Sequence, residues 1–444
     1  MVRSKSNSNS NSNRSKNASQ MVKKALNMGV DEVICQVIRE KSQQVRFSNN
    51  EITVGKEFNL VKANIFLARG KKKAQFTLEN METMEEDLKK SVKFLEKMQD
   101  NKDYYGIAEG PFSYRERTCD HRIAEADAAG LASAAIEASD AKRVAGVLYT
   151  RYQHLDLASP YTEAVDENAF IEISVRAFEE DSSGHAVNCS STLKDFDGEK
   201  ASRQAAALAQ QAASPELGRG GTYDILFTPL CFATLFSSAL FSLSAFFVDS
   251  GISFFWGKMG KQVASERFSV ANDGTMEEGI FSAKFDEEGV PTKRTSLIEK
   301  GVLQNFLHNT STARKFDSET TANAGIDAPL PQNLVIEKGD KSKDDLLKDI
   351  DNGLMVTNTW YTRFQNYMAG DFSTIPRDAI LVIEDGEITG SVKNIRISDN
   401  MLGVLQNIDG LGDRAQQIHW WECDFPIFSP YVRVRDVNTT MSTK

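Results

Sequence analysis

The sequence predicts an α+β protein: an N-terminal antiparallel sheet with covering helices, then a β-rich C-terminal domain built around a buried apolar helix. Three observations carry this expectation. The first half alternates extended runs with alanine-rich, helix-like segments. Toward the C-terminus the pattern turns into short strand-like runs broken by turns such as Asn272-Asp273-Gly274 and Asp385-Gly386. Between the two lies Ile225–Val248, ILFTPLCFATLFSSALFSLSAFFV, which has no charged residue in a chain that is 26% charged.

Residues 1–18 are a basic Ser/Asn repeat. Lacking any apolar core, they read as a disordered tail and not as a signal peptide. Order begins near Ser19, where Met21, Val22, Ala25, Leu26 and Met28 fall at helical spacing before Gly29. Strand-like runs follow at Glu32–Arg39, Gln44–Phe47, Ile52–Phe58 and Leu60–Arg69, the last resuming at Ala74–Leu78. Asn49-Asn50 and Gly70-Lys71 are the turn signals between them. Met84–Met98 is an amphipathic helix, with Leu88, Val92, Leu95 and Met98 on one side. His121–Ser139 and Gly198–Ala213 are helices rich enough in alanine to pack closely on a sheet, and the strands Ala145–His154, Phe170–Phe178 and Ala186–Ser191 lie between them. A chain of 444 residues is too long for one ordinary core. The expected division is an N-terminal domain over 19–213, a linker over 214–221 and a C-terminal domain over 222–444.

The uncharged stretch is long enough to span a bilayer. Pro229, the interspersed Thr228, Thr234, Ser237, Ser238, Ser242 and Ser244, and the flanking Asp224 and Asp249 argue for burial in protein instead. Pro229 divides it into a strand, Tyr223–Thr228, and a central helix, Leu230–Val248, because proline is tolerated in a helix's first turn. Beyond it, Arg267–Ala271, Thr295–Glu299, Gly301–His308, Asn333–Ile336, Ile380–Glu384 and Val432–Val434 read as strands. Thr310–Phe316 and Lys343–Asp351 read as short helices.

Composition narrows the function. A formal net charge of −10 opposes a direct grip on nucleic acid. Five cysteines with no CxxC fit a reduced, cytoplasmic protein. A zinc peptidase helix would carry paired histidines and a glutamate, and none is present in Leu230–Val248, where Cys231 is the sole conceivable ligand. His185/Cys189 and His419/Cys423 recur at i, i+4, but in strands that spacing is about 13 Å, so both pairs read as packing residues. No GxSxG surrounds Ser373, and His308-Asn309-Thr310 reads as a strand end with a helix cap. Neither GxGxxG nor a Walker pattern occurs.

Several segments do carry a resemblance. They are Ile298–Thr310 (IEKGVLQNFLHNT), Asn333–Asp340 (NLVIEKGD), Gly370–Ser373 (GDFS), Ile383–Ile388 (IEDGEI) and Gly260-Lys261. In consistent order along the chain, over about residues 18–435, they resemble the TldD/PmbA family, long labelled modulators of DNA gyrase, and within it the TldE/PmbA branch. In that family one branch bears an HExxxH zinc motif on the helix corresponding to Leu230–Val248, and the other lacks it and pairs with the first. Here Phe232–Leu240 reads FATLFSSAL, which matches the metal-free branch. The resemblance implies a non-catalytic, peptide-binding subunit of a two-component zinc metallopeptidase acting on small or unfolded peptides. No catalytic residue, metal ligand or cofactor is expected in this chain. Zinc is expected in a TldD-like partner subunit, with a homodimer open to the isolated chain. His308, Asn309, Asp371 and Ser373 are the candidate peptide-binding residues. Two alternatives stay open: a self-sufficient hydrolase using His308 and Ser373, and a peptide-binding regulatory protein without hydrolysis.

Overall fold

The computed structural model describes residues 8–80, 82–325 and 328–441, with side chains described from residue 18 onward. Helix α1 (Ser8–Asn27) reaches back into the stretch assigned to the tail, and its described side chains Ala18, Met21, Val22 and Ala25 are buried. Strand β1 (Glu32–Ser48) turns at Asn49-Asn50 into β2 (Glu51–Arg69), which turns at Gly70 into β3 (Lys72–Leu78). Asn49 and Asn50 have φ of 53° and 65°, the left-handed pair that a tight hairpin turn demands. The four runs read as separate strands before Arg69 are therefore two long ones, because polar residues such as Lys41–Gln43 still pair across the ladder. Helix α2 (Met84–Glu96) and α3 (Ala128–Glu137) precede β4 (Arg143–Ala158), β5 (Glu163–Phe178), β6 (Ser183–Ser190) and α4 (Gly198–Gln211). The expected helix His121–Ser139 is split, since Asp127 turns out of the helix to cap the Gly130 amide.

These strands form one antiparallel sheet in the order β3-β2-β1-β4-β5-β6. One face carries Val45, Leu148, Ile171, Ile173 and Val175 and is covered by α3 and α4. A Cβ at Gly184 would stand 2.1 Å from the Ala205 carbonyl oxygen, so this close helix–strand approach requires glycine there. Because side chains alternate along a strand, the second face is left for the C-terminal half. That arrangement creates the site described below.

The segment 214–221 is woven into the C-terminal sheet. Strand β7 (Glu216–Leu217) runs parallel to Val392-Lys393, and β8 (Gly221–Phe227) follows. Strand β8, Asn352–Asn366, Asp371–Glu384, Ile395–Asn400 and Val432–Met441 close into a barrel. A second sheet is built from Val302–Leu303, Arg294–Glu299, Val270–Asp273, Leu334–Ile336, Cys423–Ser429 and Gln416–Trp420.

The expected continuous helix Leu230–Val248 needs correction. It is α5 (Pro229–Ser237), a 3₁₀ turn over Leu240–Leu243, and a short α6 (Ala245–Asp249). The serines explain the breaks. Ser238 Oγ donates to the Leu235 carbonyl at 2.6 Å, and Ser244 is extended (φ −88°, ψ 128°). There the chain pairs with a neighbour, Leu307 N–H donating to Leu243 O at 2.8 Å and Ala245 N–H to Leu307 O at 3.0 Å. Burial is as expected: Leu235, Phe232 and Phe236 of α5 belong to the largest core cluster, with Phe268, Leu297, Ile397 and Ile427. Among the described residues no helix is long and apolar enough to cross a membrane.

Candidate functional site

Thr228 caps α5 by accepting the Cys231 amide, and Pro229 opens its first turn. Thr234 sits on the helix face toward the second sheet, where its hydroxyl accepts the Trp420 indole N–H at 2.9 Å. Alongside runs a groove of about 430 Å³ whose wall includes Ser237, Ser238, Phe241, Arg363, Tyr367 and Glu422. Phe241, Phe364 and Tyr367 pack at centroid distances of 5.5 to 6.1 Å and make its apolar side. Burial pushes the Glu422 carboxyl above its ordinary range, with Arg363 opposing.

A larger cavity of about 850 Å³ lies between the open face of the N-terminal sheet and the C-terminal half. Trp421 and Asp424 belong to both walls, so the groove and the cavity adjoin. Trp360, Trp420 and Trp421 form one aromatic cluster there, with centroid separations of 5.2 to 6.0 Å. Behind it runs a polar chain. His185 is fully buried; its Nε2 lies 2.9 Å from Ser174 Oγ and its Nδ1 2.9 Å from Asn358 Nδ2. The same Asn358 amide nitrogen donates to Asp378 Oδ2 at 3.1 Å, and its oxygen accepts the Thr359 amide at 2.8 Å. Asp378 also receives Arg176 at 2.6 Å and Ser183 at 2.8 Å. These contacts fix the tautomer. An amide nitrogen can only donate, so Nδ1 of His185 accepts and its proton resides on Nε2. Burial pushes the His185 pKa down to about 4, keeping the ring neutral. His185 therefore donates to Ser174 and cannot take its proton, which removes the set from nucleophilic chemistry.

The sequence-derived candidates fall in two places. His308 is buried at the start of the helix Thr310–Lys315, with Nδ1 3.2 Å from Thr312 Oγ1, and burial lowers its pKa to about 4. Asn309 caps that helix through a reciprocal box with Thr312. Asp371 accepts Asn400 Nδ2 at 2.8 Å at the start of a barrel strand, and Ser373 accepts Gln365 Nε2 at 2.9 Å. Among the described residues no hydrogen bond or ring contact joins the first pair to the second. Ser373 does stand opposite Arg363, which lines the groove. The residues that sequence reasoning passed over are Arg46, Ser174, Arg176 and the three tryptophans. Trp420-Trp421 beside His419 was a usable signal in a chain with only four tryptophans.

The donor set beside α5 does not fit a catalytic zinc, which takes imidazole, thiolate or carboxylate in a group of three. Among the described residues the groove wall holds the carboxylates of Glu422 and Asp424 and no imidazole. Nearby Cys423 is buried, which pushes its thiol up to about 12, far from thiolate. Among the described residues no cluster of three His, Cys, Asp or Glu could hold a metal. His419 is engaged with Glu172, and Cys189 with the Gln417 carbonyl at 3.3 Å.

A buried short helix between a closed barrel and a second sheet, flanked by an aromatic groove, defines a cleft protein on a two-part α+β scaffold. Residues 220–441 match the model of the PmbA/TldA metallopeptidase C-terminal domain. The chain belongs to the TldD/PmbA family, which is metallopeptidase-related. It is 30% identical over 304 residues to a metalloprotease of Methanothermobacter thermautotrophicus, covering 62% of this chain and 65% of that one. It is 28% identical over 220 residues to a metalloprotease TldD homolog of Buchnera aphidicola subsp. Acyrthosiphon pisum, covering 48% and 45%. The matched regions thus span less than two thirds of either relative. The crystal structure of TldE from Thermococcus kodakarensis superposes with a TM-score of 0.84 over 95% of this chain and 99% of that one, at 20% identity, a likeness of fold.

Proposed function

We propose that this chain is the non-catalytic, peptide-binding subunit of a two-component zinc metallopeptidase acting on small or unfolded peptides. The observation that carries the reading is the groove along α5: it is lined by aromatic rings, hydroxyls and carboxylates, with no imidazole among the described residues. Such a wall can hold apolar side chains and hydrogen-bond a peptide, and its two carboxylates fall short of the three protein ligands that a catalytic zinc takes. The sequence likewise contains no HExxxH. The partner is a TldD-like subunit bearing that motif, which supplies the zinc.

The test is to purify the chain alone and with the motif-bearing partner. The expected result is chelator-sensitive cleavage of an unfolded peptide by the pair and none by this chain. Elemental analysis should find zinc in the complex and no stoichiometric zinc in the lone chain. Chelator-sensitive peptidase activity of the lone chain would overturn the reading.

A further inference from the structure

The cavity between the N-terminal sheet and the C-terminal half offers hydrogen-bond donors with no use in the fold. Arg46, Val147 and Ser174 stand opposite one another across β1, β4 and β5, so they share one row of the open sheet face. Two strand spacings separate Arg46 from Ser174, about 10 Å between backbones, which a guanidinium can bridge toward a common ligand. Arg46 is exposed, lines the cavity, and is engaged by no ion pair among the described residues. The other charged groups of the wall are mostly committed. Arg176 is held by Asp378 and Glu172 by His419, while Asp424 stands at the far end beside the groove.

Ser174 is the second donor, and its polarity follows from the chain behind it. Its oxygen already accepts from His185 Nε2. Its own hydroxyl hydrogen is left to donate, and Ser174 lines the cavity. Around these two donors stand Tyr149, Phe178 and the tryptophan cluster. One guanidinium and one neutral hydroxyl donor set among aromatic walls select a carboxylate carried on an aromatic or large apolar body.

We propose that this cavity is a carboxylate-recognition site in which Arg46 and Ser174 bind the terminal carboxylate of an aromatic acid while the tryptophans enclose its ring. The C-terminus of a peptide ending in an aromatic residue and a free aromatic acid share this chemistry. A peptide so held would continue past Trp421 and Asp424 into the groove along α5, a geometry that rests on the peptide-binding reading above.

Three of the four tryptophans line the cavity, so intrinsic fluorescence reports occupancy, with calorimetry as a check. The probes are N-acetylphenylalanine, its carboxamide, and the peptide AAAAF as free acid and as amide. The acids should bind at least about 10-fold more tightly than the amides, the worth of a charge-assisted pair. Arg46→Ala should bring the acids down to the amides without moving the melting temperature, Arg46→Lys should retain part of the preference, and Ser174→Ala should weaken it. A peptide acid tighter than N-acetylphenylalanine identifies a peptide end as the ligand, and equal affinity identifies a free acid; both support the site. Equal binding of acid and amide, indifference to Arg46→Ala, or no saturable binding would overturn it. The titration uses the lone chain and no turnover, so its failure leaves the two-component reading standing, and the converse also holds.

Discussion

Asp378 is the residue whose removal should reveal how the two halves are held together. Its side chain is fully buried and accepts from Arg176 and Ser183 on the N-terminal sheet and from Asn358 on the barrel. Asp378→Ala would strand the Arg176 guanidinium and orphan an amide N–H, a loss of about 3–5 kcal/mol for breaking a buried pair from one side. Asp378 also has φ of 61°, a backbone that aspartate and asparagine tolerate better than alanine, which adds about 1 kcal/mol. At roughly 2 °C per kcal/mol for a large chain, the melting temperature should fall by about 8–12 °C. Asp378→Asn keeps the backbone preference and removes the charge, so it isolates the electrostatic part. The assay is urea unfolding of wild type, Asp378→Ala, Arg176→Ala and the double variant. A coupling energy above about 1 kcal/mol is expected, because the two groups share one contact. The pH dependence has a defined sign. Burial opposes ionisation of Asp378, but Arg176 and the other groups facing it, Ser183 among them, together outweigh it and hold the carboxyl below the ordinary aspartate range. Its contribution is therefore present above about pH 4 and lost as pH falls through the folded value. Strict additivity of the single variants, or Asp378→Ala melting within a degree of wild type, would refute the reasoning.

The buried pair Asp286 and Glu288 should act in the opposite sense. Burial and, for Asp286, repulsion from Glu288 raise both carboxyls well above the ordinary range, so the folded state holds protons that the unfolded state releases. Stability from this pair should decline as pH rises from about 4 into the alkaline range, and Glu288→Gln should flatten the decline in a melting series across pH. Leu240→Asp would bury an unpaired charge among core residues, at a cost of at least about 3 kcal/mol, and soluble yield should collapse. Near-wild-type melting would mean that the 3₁₀ turn is not core. Trp420→Phe removes the indole donor from Thr234 and should cost about 1 kcal/mol in chemical unfolding; no measurable change would mean that this hydrogen bond contributes nothing net to stability.

The periodicities of the sequence determined the class of the fold. Alternation in β1 and β5, alanine-rich stretches at α3 and α4, the Asn49-Asn50 turn and Pro229 at the head of α5 are local signals, and each corresponds to an element. The missing zinc motif and the run Ile298–Thr310 were equally legible, since both are strings of adjacent residues. The break at Ser244 was not legible, because it depends on Leu307 arriving to take the backbone hydrogen bonds. Nor could the sequence join Ser174 and His185 to Asn358 and Asp378, which lie up to 204 positions apart. A local pattern records which face of an element avoids water, and that is enough to set secondary structure and burial. Which other element covers that face is decided by long-range packing, and with it the tautomer of His185, the free hydrogen of Ser174 and the cavity between the two halves.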